Sequence, residues 1–295
     1  MLRLARGLFY RRPFGLYPRR LQQEDWKCRS LSSYVRESIW SFFHHRNRTV
    51  PLVVPWHRDL RIGLNLGNEL SRSVFVEGIY EPNEFVWMTN FLQPGMVVID
   101  IGAHEGMYTL FASRCVEGGG HIWSIEPSSR ERGYLRRNVR RNLLENVTIL
   151  DVAVGASDGQ AMLQLADDVR SGRNTITGAV AIHSQGIRSE NVDVRSLDHL
   201  AVIHQWIRID LIKIDTEGAE LDILRGAREV ITRFRPAIML EVPQGRPTQQ
   251  GRCLGELLEA FRLHDYGVFG FDPEAGLPTS APAAGDLNLV AIPRE

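Results

Sequence analysis

Four carboxylates sit within or just past the ends of short apolar runs in this chain of 295 residues. Asp100 lies in Val97-Val98-Ile99-Asp100-Ile101, and Glu126 follows Ile122-Trp123-Ser124-Ile125. Asp215 follows Leu211 to Ile214, Glu241 follows Ala237 to Leu240, and a fifth acid, Asp151, follows Val147 to Leu150. If these runs are strands of one open α/β sheet, the acids share the edge where such sheets bind ligands. An acidic rim repels phosphates and favours a ligand that is cationic or rich in hydroxyl and amine donors.

The loop Asp100-Ile101-Gly102-Ala103-His104-Glu105-Gly106 narrows the choice. A dinucleotide fingerprint needs G-x-G-x-x-G, with a bare second glycine to admit a pyrophosphate. Counting from Gly102, the other two positions hold His104 and Met107, which disfavours NAD and FAD. No G-x-x-x-x-G-K-[ST] occurs, so a P-loop nucleotidase is excluded. A Gly-Ala turn still lets backbone pack against a flat, uncharged adenosine. Glu126, 20 residues past Gly106, stands where an acid grips ribose hydroxyls. S-adenosylmethionine, with its sulfonium, amino group and ribose diol, matches this set.

The elements that must position these groups are legible from periodicity. Runs that are apolar at nearly every position read as strands buried on both faces, and they alternate with helical stretches. The predicted architecture is therefore an open, Rossmann-like doubly wound α/β fold. Ser128-x-x-Glu131 reads as a capping box, opening a helix with Leu135, Val139 and Leu143 on one face. Residues 1–80 read as an N-terminal extension, helical over much of 1–50. A short antiparallel pair is expected between Ile62-Leu64-Leu66 and Val74-Phe75-Val76. A second unit is expected over 81–295, with an irregular, polar stretch over 157–206, a loop over 272–285 and a last strand from Leu287 to Ile292.

Composition adds exclusions. Lys plus Arg and Asp plus Glu both number 35, so no global charge points to nucleic acid. No apolar run approaches the ~18 residues that span a bilayer. Cys28, Cys115 and Cys253 form no CxxC pair, so neither disulfides nor a structural zinc site is expected, and a cytoplasmic setting fits. The first 23 residues hold six arginines and no acid, and read as a solvated basic arm.

At these residues the chain resembles the FkbM family of class I methyltransferases. The resemblance runs over Gly78-Ile79-Tyr80-Glu81, Val98 to Gly106, Glu126-Pro127 with Asn138, Ala153-Val154-Gly155 with Asp158-Gly159, and Ser196-Leu197-Asp198. Its most specific part is Leu211-Ile212-Lys213-Ile214-Asp215-Thr216-Glu217-Gly218-Ala219-Glu220, with Leu224 and Gly226-Ala227. His104 stands where the family often carries Asn. The resemblance implies a mostly parallel seven-stranded sheet with an antiparallel last strand, and S-adenosylmethionine as cofactor. It implies that the cofactor is held by Tyr80, Glu81, Asp100, Gly102, Ala103, His104, Gly106, Glu126, Pro127, Asp151, Val152, Ala153 and Asp215. The implied acceptor is a hydroxyl of a sugar, polyketide or other small molecule.

An alcohol must lose a proton as it is methylated, so a base within hydrogen-bond reach is expected. Asp215 and Glu217 are the first candidates, with His104 and Glu241 behind them. Lys213 reads as a structural or ion-paired lysine, and His183, His199 and His204 show no ligand spacing. Methyltransferases of base amino groups typically place an Asn/Asp-Pro-Pro-aromatic turn where this chain has Asp215-Thr216-Glu217-Gly218, which disfavours nucleobases. Two other readings stand: Asp215, Glu217 and Glu241 as Mg²⁺ ligands of a metal-dependent O-methyltransferase, and a non-catalytic module on the same fold.

Overall fold

Val98, Ile99 and Ile101 on one strand, with Leu211, Ile212 and Ile214 on the next, are almost wholly excluded from solvent. Only a sheet covered on both faces buries such runs. The computed structural model describes residues 31–57, 59–78, 80–169, 174–177, 188–216, 218–241, 254–271 and 288–294. The elements in chain order begin with α1 (Leu31–His44), the hairpin β1 (Val50–Pro55) and β2 (Arg61–Leu66), and α2 (Glu69–Arg72). A π-helical turn over Ser73–Glu77 leads to α3 (Pro82–Phe91). Then come β3 (Val97–Ile101), α4 (Met107–Cys115), β4 (His121–Ile125), α5 (Ser129–Arg141) and β5 (Val147–Leu150). β6 (Ala153–Val154), β7 (Gly159–Leu165), β8 (Thr175–Thr177), β9 (Arg188–Arg195) and α6 (Leu197–Ile203) follow. The chain continues through β10 (Leu211–Ile214), α7 (Glu220–Arg225), α8 (Arg228–Phe234), β11 (Ala237–Glu241), α9 (Leu254–Leu263), β12 (Tyr266–Phe269) and β13 (Asn288–Pro293).

Seven strands form the main sheet in the order β12-β13-β11-β10-β3-β4-β5. β5, β4, β3, β10 and β11 are mutually parallel, and β13 pairs antiparallel with both β11 and β12. The fold is thus the doubly wound α/β sheet read from the sequence, with its last strand reversed. Val98, Leu211 and Met239 face a core shared with α3, α4, α5 and the hairpin. Ile99, Ile212 and Leu240 face a second core beneath α6, α7, α8 and α9.

The structure departs from the sequence reading in three places. Ile62, Leu64 and Leu66 do lie on a strand, but its partner is Val50–Pro55, and Val74-Phe75-Val76 is helical. The Asn68 side chain accepts the Leu70 N–H at 2.7 Å and starts a helix there, so the apolar triplet is buried from a helical backbone. The stretch 157–206 is no irregular connection: its described part holds β7, β8 and β9, which join β6 in a separate sheet of order β6-β9-β7-β8, and then α6. Leu143 is not on the buried face of α5; the helix ends at Arg141, and Leu143 turns left-handed (φ 53°), 84% exposed. β12 had no strong sequence signal. Residues 1–30, the loop over 272–285, Leu287 and His183 lie outside the described residues.

Candidate active site

At the end of β3 the backbone N–H groups of Gly102 and Ala103 both donate to the Ile125 carbonyl, at 3.0 and 3.1 Å, tying this loop to the end of β4. Gly102 turns with φ 76°, and a Cβ there would lie 1.9 Å from the Asp215 carbonyl oxygen. The glycine is therefore required by the neighbouring loop after β10, rather than by the approach of a ligand. His104 adopts a left-handed conformation (φ 50°), and its N–H donates to Glu126 Oε2 at 2.8 Å. Glu126 Oε1 accepts the Ser128 N–H at 2.9 Å. Ser128 turns its hydroxyl onto the Glu131 carboxylate, so this pair does not form the expected backbone cap.

These loops wall a cavity of about 530 Å³ beyond the ends of the parallel strands. Of the residues expected to hold a cofactor, Tyr80, Glu81, Gly102, Ala103, His104, Glu126, Pro127, Val152, Ala153 and Asp215 line it. Asp100, Gly106 and Asp151 do not. Asp100 is buried beneath the wall, where Thr109 donates to it at 2.6 Å. Gly106 lies against Leu135, which a Cβ would meet at 2.5 Å, and Asp151 is exposed. Glu217 lies outside the described residues. Sequence reading missed Glu69, Leu70 and Ser73 from the extension, Leu163 from the second sheet, Asn174 just ahead of β8, and Tyr108. Of these only Tyr108 carried a signal, since it stands in the first turn of the helix that follows the glycine loop.

Charge is concentrated on one wall. The Lys213 ammonium bonds to Asp215 at 2.7 Å, lies 3.7 Å from Asp100, and rests 4.4 Å above the Tyr108 ring. Burial works to lower its pKa, but Asp215 and Asp100 outweigh burial and raise it. Burial likewise opposes ionisation of Asp215, yet Lys213 and hydrogen bonds from Glu241 and Lys213 hold its pKa below the ordinary value. Glu241, half-buried and repelled by Asp215, is pushed up to about 9, so at neutral pH it is the proton donor to Asp215. Glu81 is raised to about 7 by burial and by Asp215, although the Tyr108 hydroxyl donates to it. Glu126 is raised to about 7 by burial. Both imidazole nitrogens of His104 are buried without a hydrogen bond, Nε2 lying 3.9 Å from Glu131.

This donor set suits a ligand with hydroxyls and a positive charge. Glu126 offers a buried carboxylate at the cavity wall, Ala103, Pro127 and Val152 offer apolar surface, and the Asp215–Glu241 side is acidic. No glycine-cradled phosphate nest is present there, because His104 fills the position a bare glycine would need. Among the described residues no group of three or more His, Cys, Asp or Glu side chains is placed to hold a metal ion, and no helix is long and apolar enough to cross a membrane.

Residues 100–268 match the family model described as the methyltransferase FkbM domain. The chain is 24% identical over 249 residues to the AMB antimetabolite synthetase AmbE of Pseudomonas aeruginosa, a match covering 72% of this chain but 11% of that protein. It is 24% identical over 197 residues to the 2-O-methyltransferase NoeI of Sinorhizobium fredii, covering 60% of this chain and 78% of NoeI. A crystal structure of methyltransferase FkbM from Methylobacillus flagellatus aligns with a TM-score of 0.43 at 17% identity, covering 76% of this chain and 55% of that one.

Proposed function

The chain belongs to the FkbM family of S-adenosylmethionine-dependent methyltransferases, and from that premise we propose that it methylates a hydroxyl of a sugar, polyketide or other small molecule. The observation that carries this reading is the Asp215 carboxylate, bonded by Lys213 at 2.7 Å at the wall of a cavity otherwise suited to a nucleoside. Glu126 would accept the ribose hydroxyls, Ala103, Pro127 and Val152 would flank the adenine, and Tyr80, Glu81 and Asp215 would line the remainder. S-adenosylmethionine, when bound, supplies a methyl group activated by its sulfonium. The protein's own part is alignment of the acceptor oxygen, which can lower the barrier by several kcal/mol, and removal of the acceptor proton.

Asp215 is the group we assign to receive that proton. On protonation it releases Lys213, whose charge stays balanced by Asp100. Glu217, two positions further along the chain, and His104, with its two unbonded nitrogens, are the alternates. The name of NoeI supports an oxygen acceptor, and the absence of a Pro-Pro-aromatic turn after Asp215 disfavours nucleobase nitrogen. Calorimetry with S-adenosylmethionine, followed by a methyl-release assay over a library of hydroxyl compounds with and without EDTA, tests the proposal. Transfer to hydroxyls that survives EDTA is the expected result. Tight NADH binding without S-adenosylmethionine binding would overturn the cofactor assignment. Activity restored only by Mg²⁺ would move Asp215 and Glu241 into a metal site.

A further inference from the structure

The cavity occupies the edge of the main sheet where the parallel strands end, and the opposite edge carries a different chemistry. Helices that cross between parallel strands run back against them, so helix-to-strand connections gather on this base. Five large apolar side chains there stand open to solvent. They are Leu143 (84% exposed) ahead of β5, Val202, Ile203 and Ile207 (87%) at the approach to β10, and Leu263 (72%) ahead of β12. β5 and β12 are the two edge strands, with β10 between them. At ~4.8 Å per strand the apolar groups therefore stand at three places along an edge roughly 30 Å long. Single exposed apolar residues are ordinary on protein surfaces, but these share one edge.

The β5 end of that edge is cationic. α5 holds six arginines and one glutamate. Arg130 and Arg132 near its start are used internally, Arg130 on Glu131 and Asp168, and Arg132 on the carbonyls of Glu126 and Pro127. Arg136, Arg137 and Arg140 are exposed and Arg141 is half-buried toward the base. Arg61 of β2 joins them, because the Asn142 side chain bonds the Arg61 backbone on both sides, at 2.7 and 2.8 Å. No carboxylate among the described residues forms an ion pair with any of these five. Burial and the fields of Arg61 and Arg137 push the Arg141 guanidinium down from its ordinary value. Cations near a helix C-terminus complement its dipole, yet one or two achieve that, and further ones repel unless an anion covers them.

We infer that this base edge docks on an anionic lipid surface, the arginines on headgroup phosphates and the exposed aliphatic side chains in the interface. Guanidinium forks match phosphate oxygens in pairs, clustered basic residues bind anionic leaflets, and aliphatic groups gain by leaving water at the interface. A single-stranded nucleic acid would be met by stacking aromatics, whereas the exposed set is aliphatic. Docked this way, the cavity opens away from the bilayer. The inference is independent of the transfer chemistry and stands or falls separately.

Flotation of the full chain with vesicles tests it, using phosphatidylcholine alone against phosphatidylcholine with about one-third phosphatidylglycerol. The expected result is binding to the anionic vesicles only, weakened by salt. Arg136→Glu with Arg137→Glu and Arg140→Glu should weaken it at least tenfold, and Leu143→Ser with Ile207→Ser should weaken the part that survives salt. Circular dichroism and S-adenosylmethionine affinity should match the unaltered protein, since these side chains are exposed and remote from the cavity. Equal binding to both vesicles, no binding, undiminished binding by the triple variant, or stronger binding to RNA than to the anionic vesicles would each overturn the inference.

Discussion

At the scale of single residues, Glu126 joins two tasks, because its oxygens accept the His104 and Ser128 N–H groups while its carboxylate faces the cavity. A hydrogen bond to a charged group contributes roughly 1.5–3 kcal/mol. Glu126→Ala should therefore weaken S-adenosylmethionine binding by about one to two orders of magnitude in calorimetry; an unchanged Kd would remove Glu126 from the site. Asp215→Asn should lower kcat by about 10²–10⁴-fold with little change in cofactor Kd. The pH profile separates the bases. Asp215 is held below its ordinary value, so activity that persists well into the acid range fits it, whereas an acid limb breaking at about 7 fits Glu81. In that second case Glu81→Gln, not Asp215→Asn, should lower kcat. The acids were legible in the sequence because each follows an apolar run. Their protonation states were not, since Glu241 donates to Asp215 only because β11 lies beside β10.

At the scale of elements, the loop after β3 and the loop after β10 are interlocked. Gly102 leaves no room for a side chain beside the Asp215 carbonyl, and the Asp215 N–H donates to the Ile101 carbonyl at 3.1 Å. Gly102→Ala should thus both lower the melting temperature and abolish S-adenosylmethionine binding, through a left-handed backbone that resists a Cβ and a clash with backbone that cannot rotate away. Removing a Cβ-free position usually costs about 1–3 kcal/mol when the conformation is incompatible; a variant that melts like the parent would show that the loops part easily. The central strands were legible because they are buried on both faces. β9 was not: among Arg188–Arg195 only Val192 is fully buried, so neither an apolar run nor a clean alternation marks it. The hairpin was half legible. Ile62, Leu64 and Leu66 alternate plainly, but the choice of partner rested on Asn68 starting a helix rather than closing a turn.

At the scale of the whole molecule, the buried acids set the response to pH. Glu81, Glu126 and Glu220 are raised to about 7 and Glu241 to about 9, each first by burial. For an acid raised on folding, the stability due to its protonated form is complete below its unfolded value and is lost as pH rises through the folded one. The unliganded protein should lose stability from about pH 5 to 9, whereas Asp215, held below its ordinary value, changes stability only at more acid pH. Glu241→Gln keeps a hydrogen-bond donor for Asp215 without the titration, so its melting temperature should fall less than the parent's between pH 7 and 9. About 2–4 °C per kcal/mol is the scale of that difference, and parallel curves would refute the assignment. Strand order carries one more consequence, and it concerns time. Val97 N–H bonds the Asp210 carboxylate across 113 positions of chain, and β3 pairs β10 over the same span. Closing so long a loop precedes any reward from the contacts it permits, which makes such pairing slow. The centre of the sheet and the interlocked cavity wall should therefore form in one late event. Pulsed hydrogen exchange during refolding should find the β1–β2 and β7–β9 amides protected before those of β3 and β10, and the reverse order would contradict this. Until that event a nascent chain has no such cavity at all, so a ligand of the cavity can reward only completed molecules.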